Sequence, residues 1–502
     1  MQEKLHHLAS EIDQALDNGD IKKLQDALNK IEELSTKEIT GLYAAQLYFF
    51  AANCYAGIRQ ANGNADSWAW SSPNVEKEIY CLRLSLSECY LIPFEQDQSD
   101  LRFRVGTNLA NALNHVGRFA EAIEIWDEVL NQHPRFAMAI SNRGHCLCWY
   151  ARHLYDTGHQ PIFLHEAYKS IQIALTLGVE EHAVSEILEW LEYLGSLGNW
   201  DAFSFEPESG SRGRSKLEKK YRTWCLERRL FLNPLNDLGA VDIAANDALT
   251  FPSIVVSNDE VSSAPPEVYG IYNQLKQEYV SARYILFEAI EESSKGIHFS
   301  DKRVKLYNTL DYRYSRLWVE KLKMAFLAAY AIFDKIAYLI NEYWNLNLPI
   351  KKISFDTVWF ERANKEKGLA AIFANSENWP LRGLYWVSKD LYYKADSSQP
   401  MEPDARHLNY IRNHITHKYL KVHDHILCDT SNWRDKEGHE LSYPISDREL
   451  KQQAIKLLKL VRNALIYVSL AAHSNECKAR EKIGEGLIGE MQLFEIGDRY
   501  RL

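Results

Sequence analysis

The sequence predicts an all-α protein, with an N-terminal α-solenoid of helical repeats followed by a helical bundle. Three observations predict this fold class. Apolar residues recur three and four positions apart over most of the chain, which is the period of an amphipathic helix. One stretch of the first half has the residue order of a helical repeat. Long helical patterns, separated by glycine and proline, fill the second half.

The clearest repeat begins at Phe103, if that residue opens a frame of about 34 residues. Small and large apolar residues then alternate in the order of a tetratricopeptide (TPR) repeat, and a proline closes the frame. The residues in that order are Ala110, Leu113, Ala122, Trp126 and Pro134, with Gly144 in the next unit. Small residues let the two helices approach, and proline ends the second helix.

Neighbouring units are degenerate, and we interpret residues 1–198 as a TPR-like solenoid of about four or five helix pairs. Such arrays offer a concave surface to a protein or peptide partner, although a simple spacer remains an alternative. Residues 199–217, rich in glycine, serine and charge, are predicted as a linker. Residues 218–502 form the predicted helical domain. Its long helices are expected at Glu267–Ser293, Tyr312–Trp344, Leu381–Tyr393, Ala405–Val422 and Asp447–Ser474, with one short strand at Ser253–Val256.

Charge is unevenly spread along the 502 residues, whose formal net charge is −10. Residues 1–200 sum to about −12 and the remainder to about +2. A large basic surface for nucleic acid is therefore not expected, and RNA must be bound by a local positive site in the second half.

Hydropathy and cysteine usage predict a cytoplasmic protein without a membrane partner. The longest apolar candidate, Met324–Ile340, carries Asp334 and Lys335 and is predicted as a buried helix. The N-terminus lacks the pattern of a signal peptide. The eight cysteines are scattered, which is typical of reduced thiols.

The segment IRNHITHKYL, Ile411 to Leu420, carries the most specific chemistry. The guanidinium of Arg412 is permanently charged, and its N–H donors are arranged to bind phosphate oxygens. The imidazole of His417 can accept or donate a proton near neutral pH. No serine-nucleophile motif, phosphate loop or HExxH accompanies them. The pair suits RNA cleavage without a metal or other cofactor, in which the 2′-hydroxyl attacks the adjacent phosphate and leaves a 2′,3′-cyclic phosphate. Asn413 can orient the histidine or hold a phosphate oxygen.

On a straight helix Arg412 and His417 are about 140° apart, so they need not touch. Either the helix bends or ends just after Asn413, or two copies of the helix meet across a two-fold axis and share a cleft.

Other polar residues near the motif carry weaker predictions. His414 and Lys418 are candidate substrate-binding residues, and Tyr419 is a third, although packing suits it better. No cysteine or carboxylate completes a zinc-ligand spacing with the histidines of this region, so no metal is predicted. The histidines for which zinc is the alternative are His407, His414, His417, His423 and His425. Asp311 and Asp334 are expected to be salt-bridged carboxylates within helices.

RNHITH resembles the R-[polar]-x(3–5)-H signature of HEPN-superfamily ribonucleases, with Arg412, Asn413 and His417 at its three positions. Stretches such as YNTLDYRYSRLWVEKLKMAFLAAYAIFDKIAYLIN and PLRGLYWVSKDL are similar to the bacterial subfamily in which TPR repeats precede the HEPN domain. The resemblance implies an all-α bundle, a homodimer with a composite active site, and cleavage of tRNA or mRNA. It also implies a role in stress response or phage defence. The rival hypothesis is a non-enzymatic dimeric scaffold that recruits proteins.

Overall fold

The computed structural model describes residues 2–35, 41–63, 69–92, 100–256, 265–392, 405–425, 441–483, 489 and 491–501. In these residues the chain forms sixteen α-helices and one sheet of two strands. The all-α prediction is therefore confirmed.

Helices α1 to α9 form the N-terminal half, and each packs against the next along the chain. Short loops join many of them, as in helical hairpins. Their bounds are Gln2–Asp17 (α1), Ile21–Ser35 (α2), Leu42–Ala61 (α3), Pro73–Leu91 (α4), Leu101–His115 (α5), Phe119–Gln132 (α6), Ala137–His153 (α7), His159–Leu177 (α8) and Glu181–Leu197 (α9).

The predicted repeat corresponds to the hairpin of α5 and α6. Its small and large core positions are all buried, and Trp126 between them has no exposed surface. Pro134 follows the end of α6 at Gln132, as a helix-stopping proline should. A side chain at Gly144 would meet the Ala167 carbonyl oxygen at 3.2 Å, so this glycine lets α7 and α8 approach closely. These contacts agree with a helical repeat, and its assignment to the TPR class stays a prediction.

The second half contains seven helices among the described residues, together with the two strands. Helix α11 packs along α12, while α16 contacts α11, α12 and α14. The candidate helix α15 packs on α12 and α14. The bounds are Lys216–Glu227 (α10), Glu267–Ser293 (α11), Leu317–Tyr343 (α12), Ala371–Ala374 (α13), Trp379–Tyr392 (α14), Ala405–His417 (α15), Tyr419–His423 (β1), Ser442–Ser446 (β2) and Asp447–Ile483 (α16).

Helix α12 is the one described helix that is long and apolar enough to cross a membrane. Its most apolar window is 56% buried inside the fold, against α11, α15 and α16. This burial agrees with the buried helix that the sequence predicts at Met324–Ile340.

Three predicted helix boundaries are wrong by five residues or more. The helix expected from Tyr312 begins at Leu317, the helix expected to end at Ser474 continues to Ile483, and the helix expected to reach Val422 ends at His417. The residues that follow form β1, which pairs in parallel with β2. Burial alternates along Tyr419–His423, so its backbone follows the period of a strand rather than that of a helix. The predicted end of α14 at Tyr393 lies outside the described residues.

The expected strand at Ser253–Val256 is also wrong, because this segment has no strand pairing. Its backbone amides are satisfied by side chains instead. The Ile254 N–H donates to the Tyr269 hydroxyl at 3.2 Å, and the Val255 N–H donates to a Glu476 carboxylate oxygen at 2.7 Å. An extended apolar segment can thus be held without a neighbouring strand.

A buried carboxylate on α14 joins the two halves of the chain. Asp390 forms an ion pair with Arg83 of α4 at 3.1 Å and a second with Arg118, the residue before α6. The three side chains are 3%, 9% and 2% exposed, respectively. Arg118 also donates to Glu121 at 2.6 Å. Two cations from the N-terminal half therefore converge on one anion of the bundle.

Further contacts extend this interface. The Tyr150 hydroxyl of α7 donates to Asp237 at 3.0 Å, and Asp237 pairs with Arg462 of α16 at 2.6 Å. Beside them, Gly117 and Gly383 pack backbone against backbone, since a Cβ on Gly383 would lie 2.1 Å from the Gly117 carbonyl oxygen. Only glycine permits this approach of the α5–α6 turn to α14.

The predicted linker is partly packed on the fold. The Trp200 side chain is 7% exposed, and its indole N–H donates to the Leu194 carbonyl oxygen at 2.6 Å. The domain limits at residues 198 and 218 stay predictions.

Replacement of Asp390 tests the interface. The change Asp390→Ala removes the buried carboxylate that Arg83 and Arg118 share, so we expect a loss of about 3–5 kcal/mol in the free energy of unfolding, measured by urea denaturation. The matched control is Lys30→Ala, which removes an exposed ion pair to Glu11 and should cost less than about 1 kcal/mol. Equal effects of the two changes would contradict the buried interface.

Candidate active site

Helix α15 divides into a buried side and a polar side. His407, Leu408, Ile411 and His414 are each at most 1% exposed and form the buried side. At about 100° per residue, the other side presents Asn409, Arg412, Asn413, Thr416 and His417. Arg412 and His417 lie at the two borders of this polar face, and Asn413 lies between them.

Arg412 is half-buried and is held by contacts from two elements. Its guanidinium lies over the ring of Tyr330 in α12, 5.6 Å from the centroid, as in a cation–π contact. It also donates to the Asn413 side-chain oxygen at 2.9 Å, and Asn413 in turn donates to Asn409 at 3.3 Å. Among the described residues no carboxylate forms an ion pair with Arg412. An arginine that is held in place but forms no such ion pair is suited to bind an anion.

Two groups of α12 shape the electrostatics beneath Arg412. Burial raises the pKa of Tyr330 to about 12, so its ring is a neutral phenol under the cation. Burial also raises the pKa of Asp334, against the opposing effects of the Phe355 N–H, which donates to it at 3.4 Å, and of Arg412. Asp334 has no ion pair among the residues that the structure describes, so its predicted salt bridge is not found there.

Asp311 is ion-paired as predicted, at 3.3 Å from Lys421 and 4.0 Å from Arg313. It lies in the loop before α12 rather than in a helix, however.

His417 is the last residue of α15 and is exposed. Its imidazole has no hydrogen bond to any residue in the described ranges, so it is open to solvent or substrate. Lys418, also exposed, follows it between the helix and β1. Tyr419 opens β1 and is half-buried, with Arg313 at 5.0 Å and Lys421 at 5.5 Å from its ring centroid. These cations flank Tyr419, two residues after His417.

His414 does not share this surface. It is 1% exposed, its Nδ1 lies 2.9 Å from the Tyr410 carbonyl oxygen, and its ring packs against Tyr410 and Tyr443. A ring enclosed in this way cannot reach a substrate on the polar face. We therefore correct its predicted substrate-binding role to one in packing, which follows from its place on the buried side of α15.

The sequence left open whether the helix ends just after Asn413 or continues past it. The helix does not end after Asn413, because its hydrogen bonding continues to His417. Asn413 contacts Arg412 rather than His417. Within one chain, Arg412 therefore faces α12, whereas His417 stands at the exposed C-terminal end of the helix.

Metal ligands are not clustered in the described part of the chain, where no three His, Cys, Asp or Glu side chains could together hold an ion. His407 contacts the Tyr443 hydroxyl at 2.8 Å, and His425 lies 3.3 Å from Asp447. These partners account for two of the histidines that raised the zinc alternative.

Sequence reasoning missed two features of the site. The sequence does not distinguish Tyr330 from the many other aromatic and apolar residues of α12. Only the packing of α15 on α12 places its ring under Arg412. The loop before α12 was also not predicted, because its end was interpreted as helix from Tyr312, although the loop joins basic and aromatic residues and ends against β1. The basic composition of this loop could have indicated a functional segment, because the chain as a whole is acidic.

Residues 260–475 match the family model described as LA2681-like HEPN. This part of the chain therefore contains a HEPN-family domain, which includes α11 to α15, both strands and most of α16. No curated protein matches the chain, and no solved structure matches it. The predicted HEPN domain is confirmed, whereas helices α1 to α9 lie outside the matched residues.

Alanine substitution should destabilise the protein at His414 but not at His417. We expect His414→Ala to lower the free energy of unfolding by about 2–4 kcal/mol, since it empties a packed site. His417→Ala removes an exposed ring and should change stability by no more than about 0.5 kcal/mol. Chemical denaturation of both variants measures the difference, and a destabilised His417→Ala protein would contradict its assigned exposure.

Proposed function

We propose that this protein is a metal-independent endoribonuclease of the HEPN type. The observation that carries the proposal is the polar face of α15, inside the matched HEPN domain. It is bordered by Arg412, which forms no ion pair with a described carboxylate, and by exposed His417. A guanidinium that can bind phosphate and a solvent-open imidazole are two groups suited to phosphodiester cleavage by internal transfer. HEPN domains are commonly ribonucleases, which supports the same conclusion.

The reaction follows from these groups. The ribose 2′-oxygen bonds to the adjacent phosphorus while the bond from phosphorus to the 5′-oxygen breaks, which yields a 2′,3′-cyclic phosphate and a 5′-hydroxyl. One proton leaves the 2′-hydroxyl and one joins the 5′-oxygen, and His417 moves one of them as general base or acid. Arg412 stabilises the additional negative charge on the phosphorane. Asn413, which accepts from Arg412, holds the guanidinium in place and can also contact a phosphate oxygen.

A homodimer completes the site in this proposal. Arg412 and His417 stand about 140° apart on a continuous helix, so one straight α15 does not bring them to a single phosphate. Two α15 helices related by a two-fold axis supply an arginine from one chain and a histidine from the other. Lys418 and Tyr419 then border the same cleft and contact the substrate.

The N-terminal solenoid serves as the sensor. Its Arg83 and Arg118 hold Asp390 of α14, and two residues further on Tyr392 packs 6.3 Å from Tyr330, centroid to centroid. Tyr330 in turn supports Arg412. A protein or peptide partner that shifts the solenoid would therefore move α14 and the support of Arg412.

The biological setting completes the proposal. We propose that the protein acts in the cytoplasm in phage defence or a stress response, with tRNA or mRNA as the substrate. A second candidate function is a non-catalytic dimeric scaffold that recruits proteins. The separation of Arg412 and His417 within one chain favours that alternative, since a scaffold does not require them to meet.

Cleavage in EDTA separates the two functions. Purified protein, incubated with mixed tRNA and mRNA, should generate 2′,3′-cyclic phosphate ends without added metal. We expect Arg412→Ala and His417→Ala to reduce the rate by about 100-fold or more, because each removes a transition-state interaction. The matched controls are Arg448→Ala and His425→Ala, which replace other exposed residues of the domain and should retain full rate.

Intact RNA with wild-type protein, with and without cell extract as a source of the activating partner, would favour the scaffold. Cleavage that EDTA abolishes and zinc restores would contradict the metal-independent mechanism.

A further inference from the structure

The connection between α11 and α12 is a long exposed loop, residues 294–316, with one short 3-10 turn at Phe299–Asp301. Loops of more than about 15 residues are uncommon inside compact domains and are usually functional. Three of its non-glycine residues, Arg303, Leu310 and Tyr312, have φ between 51° and 65°. Such backbone strain is often found at functional segments.

Aromatic side chains of the loop extend into solvent. Phe299 is 76% exposed, Tyr307 is 97% exposed and Tyr312 is 75% exposed. Large rings are normally buried because their apolar faces gain free energy on leaving water. Three of them in one loop make a surface that lacks its partner in a single chain.

Cations are interleaved with these rings. Residues 295–316 contain six lysines and arginines and two aspartates, in a chain whose net charge is −10. Lys302, Arg303 and Lys305 are exposed, and none forms an ion pair with any described residue. Both aspartates have other partners, because Asp301 accepts from the Leu317 N–H and Asp311 pairs with Lys421. The cations of the loop outnumber its carboxylates, so the net charge of the loop is positive.

The end of the loop is fixed beside the candidate site. The Tyr314 N–H donates to the Val422 carbonyl oxygen of β1 at 2.7 Å, and its hydroxyl donates to Asp424 at 2.6 Å. Arg313 stacks on Tyr419, two residues after His417. A ligand lying along the loop thus reaches the surface where His417 and Lys418 are exposed.

We infer that residues 294–316 form a binding platform for single-stranded RNA, which leads an unpaired strand to the α15 site. Tyr307, Tyr312 and Phe299 stack on bases, and Lys302, Arg303 and Lys305 contact phosphates. Rings that stack on any base, combined with cations along the backbone, are the general means of binding single strands. The inference rests on the proposed function for what happens to the bound strand, but binding itself does not require cleavage.

Charge decides between RNA and a second copy of this chain as the occupant. The loop also exposes Val304, Leu306 and Leu310, which suit a protein partner as well. Lys302, Arg303 and Lys305, which form no ion pair with a described residue, would remain uncompensated in a purely apolar contact between copies, whereas phosphates neutralise them. The loop is therefore the local positive site that an acidic RNA-cleaving protein needs.

Binding of an uncleavable strand tests the platform. The probe is a fluorescein-labelled, unstructured 2′-O-methyl oligonucleotide of about 20 nucleotides, which has no free 2′-hydroxyl and exceeds a typical single-strand site. Anisotropy in EDTA gives its Kd for the full-length protein. We expect the double change Tyr307→Ala with Tyr312→Ala to raise the Kd roughly tenfold or more, since two stacking faces are removed.

The charge variant gives a separate signature. Lys302→Glu, Arg303→Glu and Lys305→Glu together should weaken binding and reduce the slope of log Kd against log salt by about 2, near 0.7 for each phosphate that the protein no longer neutralises. The matched controls are Lys351→Glu with Lys352→Glu for charge and Phe494→Ala for an exposed ring, which should leave the Kd unchanged. Circular dichroism verifies that each variant is folded.

An unchanged Kd in folded loop variants would overturn the platform. So would loop variants that alter the molar mass in light scattering but not the Kd, because the loop would then bind a second copy. Strong binding of the oligonucleotide with no cleavage of natural RNA would instead sink the proposed ribonuclease while leaving the platform intact.

Discussion

The buried carboxylate of Asp390, shared by Arg83 and Arg118, is the constraint on which the rest of the structure depends. A charge removed from water is tolerated only when opposite charges and hydrogen bonds surround it, so this cluster fixes α14 against the solenoid. Helix α14 in turn supports α15, which carries the candidate site. The chain Asp390, Tyr392, Tyr330 and Arg412 therefore connects the inter-half interface to the cation of the site.

The site itself depends on where α15 stops. Its buried side, with Ile411 and His414, anchors the helix in the bundle, while Arg412 stays half-buried against α12 and His417 is exposed. The change to strand directly after Lys418 exposes the histidine and places Tyr419 beside Arg313 of the long loop. One abrupt change of backbone geometry thus brings an exposed imidazole next to a basic, aromatic surface.

The sequence predicted those parts of the fold whose signals are local. Helix α11 has the predicted bounds, Glu267–Ser293, because a proline precedes it and a serine–lysine–glycine stretch follows it. Five-residue β1 was missed, since an alternation over so few residues is hidden beside a helical pattern and its partner strand lies further along the chain. Nor can periodicity reveal that Asp390 meets Arg118 across 272 residues. The motif residues were found by type and order, but their surroundings, such as Tyr330 beneath Arg412, exist only in three dimensions.

Complementation between two inactive chains tests most directly whether the site forms between copies. Arg412→Ala and His417→Ala proteins are unfolded together, refolded at equal concentration and assayed for cyclic-phosphate ends in EDTA. A composite cleft predicts that about a quarter of the wild-type rate returns, since half of the dimers are mixed and each holds one intact arginine–histidine site. No recovery, with mixed dimers verified by mass, would contradict the composite ribonuclease site.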